Sequence, residues 1–200
     1  MTSNSKKSGV SRREFNKLSA AAVGSLAATS FSGVARASEP EIRVGLVGCG
    51  GRGIGAAVQA LNARSNTRLV AMGDVFRRRL DLGFERLTNP ENEAAGLLDR
   101  VDVPEDRKFS GFDNFQKVID ACDVVILATP PAFRPQHFEA AIAADKHVFM
   151  EKPVATDAPG VRRVLATAEE AKRKELNVVV GLQRRYKSQY TEWIEKIQDG

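Results

Sequence analysis

The chain has 200 residues, 42% of them hydrophobic and 28% charged, which excludes a wholly disordered chain, a collagen and a disulfide-dense miniature fold. Its net charge of +5 is concentrated: residues 1–37 hold six basic side chains (Lys6, Lys7, Arg12, Arg13, Lys17, Arg36) and one acid (Glu14), and the remaining 24 basic and 24 acidic residues cancel. A basic footprint for nucleic acid is therefore not supported for the folded part, and no uncharged stretch is rich enough in Leu, Ile, Val and Phe to read as a membrane span.

The first segment reads as a leader. Ser11-Arg12-Arg13-Glu14-Phe15-Asn16-Lys17 resembles the twin-arginine motif of bacterial export signals. The uncharged run Leu18–Ala35 that follows has five strongly apolar residues (Leu18, Val23, Leu26, Phe31, Val34) among many Ala, Ser and Gly, too weak for a stable membrane helix and suited to a targeting core. Ala35-Arg36-Ala37 supplies a cleavage signal, so the expected new terminus is Ser38 and the expected location is the periplasm or beyond. The twin-arginine route carries folded proteins, so the export machinery is an expected partner and a tightly held nucleotide is expected to load before export.

Past the leader, short β-rich runs alternate with helical stretches. Glu41–Val47 is a strand, Gly48–Gly55 a glycine-dense turn, and Ile54–Ala63 helical. Arg68–Gly73 is a second strand ending at Asp74, followed by a charged helix over Val75–Leu87. Residues 89–107 form a polar excursion with Pro90 and Pro104, of a length that suggests a lid or an insertion. A weak strand near Lys108–Phe109 and a helix over Asn114–Ala121 come next. Asp123–Ala128 is a buried strand ended by Thr129-Pro130-Pro131, Gln136–Ala144 is helical, and His147–Met150 is a fifth strand closed by Glu151-Lys152-Pro153. Pro159–Lys174 is a long helix, Val178–Leu182 a sixth strand, and Ser188–Gln198 the start of a further helix. Near-continuous apolar strands alternating with helices predict a parallel sheet covered on both faces. Right-handed crossovers make it a doubly wound α/β fold of the Rossmann type, in the order 3-2-1-4-5-6.

The glycines carry the first chemistry. Gly48-Cys49-Gly50-Gly51-Arg52-Gly53 satisfies G-x-G-x-x-G between a strand and a helix, which is the context a dinucleotide fingerprint requires. Gly48 permits the tight turn, Gly50 lets the backbone approach a pyrophosphate, and Gly53 lets the helix pack close to the sheet. The helix N-terminus offers unpaired N–H groups to the phosphates, and Arg52 adds a candidate phosphate contact. Asp74, 21 residues after Gly53, accepts hydrogen bonds from the adenosine ribose and repels a 2′-phosphate, which favours NAD. Arg77, Arg78 and Arg79 keep NADP open; they read either as a solvated helix face or as contacts to adenine or a 2′-phosphate.

From Glu41 to about Tyr190 the sequence resembles the glucose–fructose oxidoreductase / inositol dehydrogenase / MocA (Gfo/Idh/MocA) family, on IRVGLVGCGGRG at 42–53, DVVILATPP at 123–131 and above all KHVFMEKP at 146–153. The resemblance implies an NAD(P)-dependent oxidoreductase that transfers hydride between nicotinamide and a sugar or polyol. It implies that Lys152 points at the nicotinamide and the reacting hydroxyl, that Glu151 orients Lys152 or contacts the nicotinamide ribose, and that Pro153 fixes the turn through a cis bond. Thr129 and Pro130, at the end of the fourth strand, fall among the cofactor-binding positions. Arg134 stands where many relatives carry a histidine and is counted with them; His137, one helical turn later, is a second catalytic candidate. Arg184, after the sixth strand, is a cofactor or substrate candidate, whereas His147 reads as structural. Asp145 replaces a usual glycine and is expected to adopt the left-handed cap.

Cys49 and Cys122 fall at opposite ends of neighbouring strands, roughly 15 Å apart by strand rise, so two free thiols are expected. No metal-ligand spacing occurs. Family members continue into a second α/β domain that supplies most of the substrate pocket and the oligomer surface. The expected division is a signal peptide over 1–37, a nucleotide-binding domain over 38–186 and the start of a truncated substrate domain over 187–200, with a homo-oligomer as the full-length form. Two other functions compete: an NAD-dependent glycoside hydrolase of the same fold, and a non-catalytic nucleotide-binding module.

Overall fold

The computed structural model describes residues 39–91 and 95–200. The expected export signal and cleavage site lie outside the described residues. Six parallel strands make one sheet: β1 (Ile42–Val47), β2 (Thr67–Asp74), β3 (Lys108–Ser110), β4 (Val124–Leu127), β5 (His147–Met150) and β6 (Val178–Val180). Their order is β3-β2-β1-β4-β5-β6, the doubly wound order expected. The helices are α1 (Gly51–Ala63), α2 (Arg77–Thr88), α3 (Asn114–Ala121), α4 (Arg134–Ala143), α5 (Ala158–Arg173), α6 (Gln183–Tyr186) and α7 (Ser188–Asp199). Among the described residues no helix is long and apolar enough to cross a membrane.

Two apolar layers hold the sheet. Alternation along β4 shows how the sequence supplies both: Val125 and Leu127 face one layer with Phe115, Ile119, Phe138 and Ile142, while Ile126 faces the other with Leu46, Leu61, Leu69 and Leu80. Each of those large side chains, fully buried, is worth roughly 1.5–3 kcal/mol relative to exposure. Register then aligns the carboxyl ends: Val47 sits opposite both Gly73 of β2 and Leu127 of β4, and Leu127 opposite Met150 of β5. Every loop that leaves these ends opens on the same edge.

Local signals set the ends of α4 and α5. Asp145 and Glu175 both have φ of 56°, the left-handed turn that returns a helix to the next strand, and the next amides (Lys146 and Leu176) bond back to Ala141 O and Ala171 O. Asp145 thus performs the capping expected of it. Asp157 caps α5 by accepting from Gly160 N at 2.7 Å.

The polar excursion is a wall and not a lid. Leu97 and Val103 are buried in the layer beneath α1 and α2. Arg100 donates to Leu61 O and Arg64 O at the carboxyl end of α1, where a cation suits the helix dipole. None of its described residues lines the clefts described below. A further departure is α6, a single turn where only a connection was expected; the sixth strand correspondingly ends at Val180.

Candidate functional site

The carboxyl edge of the sheet carries two adjoining clefts that share Ala128 and Thr129 at the end of β4. The glycine loop borders both. Gly48 has φ of 97°, and a Cβ there would lie 2.8 Å from the Ala128 carbonyl carbon and the Thr129 nitrogen, so only glycine turns the chain this close to β4. At Gly53 a Cβ would lie 1.9 Å from Gly48 O; α1 packs directly on the loop. At Gly50 the same test meets only Arg79 Nη1, at 4.0 Å. That backbone face is open at the N-terminus of α1, where amides and helix dipole suit a diphosphate. The three positions thus behave as the fingerprint requires, and the loop fits the dinucleotide.

The first cleft, about 540 Å³, is lined by Gly48, Gly50, Asp74, Arg79, Pro130 and His137 together with Phe76, Phe112 and Phe133. Asp74 is 6% exposed. Its Oδ2 accepts from Cys49 N at 2.9 Å and its Oδ1 from Phe76 N at 3.0 Å, so the carboxylate ties the glycine loop to β2 while bordering the cleft. Of the three consecutive arginines, Arg77 is spent on Asp81 and Glu105. Arg79 is exposed and also lines the first cleft beside the glycine loop, so both readings of it stand. Phe76 and Phe112 are 64% and 72% exposed, apolar surface in the position where a flat base would stack. Sequence reasoning missed both, because neither stands in a recognisable pattern.

The second cleft is lined by Arg52, Glu151, Lys152 and Gly181, with Gln183, Tyr186 and Lys187 from the chain after β6. The Lys152–Pro153 bond is cis, as the family resemblance implied. Lys152 is exposed and its ammonium has no partner among the described residues, whereas Glu151 is 7% exposed. Arg52 does not point away toward a phosphate: its Nε donates to Glu151 Oε1 at 2.6 Å and its Nη2 stands 2.5 Å from the same oxygen. Gly181 went unnoticed in the sequence; a Cβ there would meet the Glu151 carboxylate at 2.9–3.0 Å, so its glycine makes room for that group.

Three further expected site residues are placed by their packing. His137 lines the first cleft, away from Lys152, and is 5% exposed. Its ring stacks on Phe115 with centroids 4.2 Å apart, and its Nδ1 lies 3.3 Å from Thr129 Oγ1. Burial, and then the positive charge of Arg134, pushes its pKa down to about 4. The ring is neutral in this stack and walls the first cleft, while Lys152 lines the second. Arg134, 2% exposed, lines the second cleft and donates to Thr129 O and Pro153 O, clamping the turns after β4 and β5 together. Arg184 leans on the ring of Tyr190, 5.8 Å away, and lines neither cleft. The turn of α6 presents Gln183 and Tyr186 there in its place.

His137 makes acid stability measurable. Its pKa falls from 6.5 in the unfolded chain to about 4 in the fold. The unfolded state therefore takes up a proton first, and stability present above pH 6.5 is lost as pH falls toward 4, by roughly 2–3 kcal/mol. Urea denaturation between pH 7 and 4 is expected to show this slope, and His137→Gln is expected to flatten it; an unchanged slope would mean that other groups carry it.

His147 accepts from Asn177 N at 3.0 Å and is structural, as expected. Both cysteines are buried and free, with burial pushing both thiols up. No cluster of metal-ligating side chains exists among the described residues.

Residues 42–180 match the oxidoreductase family with the NAD-binding Rossmann fold, GFO_IDH_MocA. The chain belongs to this family. Similarity to individual Gfo/Idh/MocA proteins is moderate and partial. An inositol 2-dehydrogenase of Rubrobacter xylanophilus is 33% identical over 169 residues, which cover 82% of this chain and 42% of that protein. A glycosyl hydrolase family 109 protein of Streptomyces coelicolor is 28% identical over 147 residues, covering 72% of this chain and 29% of that one. Scyllo-inositol dehydrogenase from Lactobacillus casei, solved with NAD(H) and scyllo-inositol, superposes with a TM-score of 0.60 at 25% identity, covering 80% of this chain and 42% of its own. The chain thus spans less than half the length of these relatives. Residues 42–180 carry the family's NAD-binding Rossmann fold, and the glycine loop and first cleft lie within it.

Proposed function

We propose that this chain is the nucleotide-binding part of an exported NAD(P)-dependent oxidoreductase acting on a cyclitol, sugar or related polyol. The observation that carries the reading is Lys152, an unpartnered ammonium beside a buried carboxylate, on the same cleft as Arg52 of the glycine-loop helix. Bound NAD(P) supplies the two-electron acceptor or donor that such a reaction needs. Lys152 holds a proton at Nζ within reach of a substrate hydroxyl and stabilises negative charge developing on its oxygen. Arg134 keeps the turns bearing Thr129 and Pro153 at fixed spacing. Asp74 favours NAD over NADP, with Arg79 pulling the other way. The test is NADH formation by the full-length protein on a panel of inositols and aldoses. Activity on a polyol with stoichiometric NADH is the expected result, and its absence across the panel would sink the reading.

The resemblance to the family 109 protein supports a second reading, in which sugar oxidation is transient and the aglycone is eliminated. Cleavage of an aryl glycoside without net NADH would favour it.

Export rests on Arg12-Arg13, the weakly apolar run and Ala35-Arg36-Ala37 in that order. Expressed from its native gene, the protein is expected in the periplasmic fraction with Ser38 as its first residue. Replacing Arg12 and Arg13 together by Lys is expected to hold the uncleaved chain in the cytoplasm; export that survives the double change would refute the twin-arginine route.

A further inference from the structure

The ion pair between Arg52 and Glu151 joins the first turn of α1 to the end of β5 across the second cleft. Its two halves differ in freedom. The Glu151 side chain is 9% exposed, against 49% for Arg52. On its far side the carboxylate lies against Gly181, where even a Cβ would be 2.9–3.0 Å from it, so it has no room to withdraw toward β6. The guanidinium has room: its Nη2 already stands 3.5 Å from Gln59 Oε1, two turns further along α1. If one partner leaves the pair, it is Arg52.

A second anion belongs in reach of the same guanidinium. The amides at Gly50 and Gly51 open on the place a diphosphate takes at the start of α1, and Arg52 is the next residue. One cation then faces two anions, an internal carboxylate and an external diphosphate.

We propose that Arg52 is exchanged between them: it holds Glu151 while the cleft is free of nucleotide, and turns to the diphosphate when nucleotide binds, which releases the carboxylate beside Lys152. This rests on the cofactor reading above. It makes Glu151 an opponent of diphosphate binding, although it borders the same cleft. It also makes Arg52 a positioning residue for the Glu151–Lys152 turn in the free protein.

ADP separates the two roles of Glu151, because it carries the diphosphate and lacks the nicotinamide ribose that the carboxylate is otherwise placed to touch. Calorimetric titration with ADP is expected to show tighter binding to Glu151→Gln than to the parent, by about three- to tenfold, the worth of a partly exposed charge-assisted bond. Glu151→Asp, which keeps the charge but shortens the reach, is expected to move the same way by less. Arg52→Gln is expected to weaken ADP binding, and in that background Glu151→Gln is expected to change nothing. A gain from removing the carboxylate's charge alone would persist in the Arg52→Gln background, so its disappearance there identifies the exchange. Unchanged or weaker ADP binding in both Glu151 variants, with NAD still bound by the parent, would overturn the exchange and leave the cofactor reading intact. Failure of the parent itself to bind NAD or ADP would overturn both.

Discussion

Gly53→Ala is expected to abolish dinucleotide binding and to destabilise the fold by ~3 kcal/mol or more. The added methyl would stand 1.9 Å from Gly48 O and 3.2 Å from Ala128 Cβ. Neither the loop carbonyl nor the carboxyl end of β4 is the far end of a flexible side chain, so relief requires moving α1 off the sheet or breaking the Gly48 turn. The turn is itself committed: Gly48 N donates to Gly73 O at 2.7 Å and Cys49 N to Asp74 Oδ2 at 2.9 Å. Moving α1 would also unpack Ile54, Ala57 and Leu61 from their layer. A fall in the melting temperature together with loss of NAD binding is the expected pair of results. By contrast Gly51→Ala, whose Cβ would meet nothing within 4 Å, is expected to leave the melting temperature nearly unchanged. If Gly53→Ala binds NAD like the parent, the loop does not hold the geometry described.

Lys152→Met is expected to lower kcat of the full-length enzyme by about 10²- to 10⁴-fold while NAD affinity and stability stay near the parent's. The separation follows from placement. The side chain is exposed and makes no bond to the described residues, so no described contact is lost with it. Its loss removes the ammonium that follows β5 on the second cleft, where the arginines are occupied, Arg52 by Glu151 and Arg134 by two carbonyls. Lys152→Arg is not expected to rescue the rate, because a guanidinium does not release its proton near neutral pH. Steady-state kinetics beside equilibrium NAD titration decide the matter; a rate within threefold of the parent would remove Lys152 from the chemistry.

Much of this site was legible before the structure because its signals are local. A strand, a glycine turn and a helix occur within a dozen residues, and each glycine there answers a short-range steric demand. The acid at the end of β2, the capping role of Asp145 and the cis bond before Pro153 are likewise properties of a few adjacent residues. Alternating apolar runs settled the fold class, since strands buried on both faces leave little besides a parallel sheet with helical crossovers.

What escaped the sequence depends on which side chains meet across the edge of the sheet. Spacing assigned Arg52 to the phosphates, but it pairs with a nine-tenths-buried carboxylate just after β5, for which Gly181 just after β6 leaves room. His137 and Arg134 stand three residues apart on α4, yet one became a neutral stacked wall and the other a clamp on two carbonyls. Their burial comes from packing against β4 and β5 and not from their own neighbours in sequence. Arg184 and Tyr186 show the same limit, as one unforeseen helical turn decided which of them faces the cleft. The chain therefore encodes its scaffold and its glycine loop locally, while the pairing of charges around Lys152 arises only when strands distant in sequence are brought side by side.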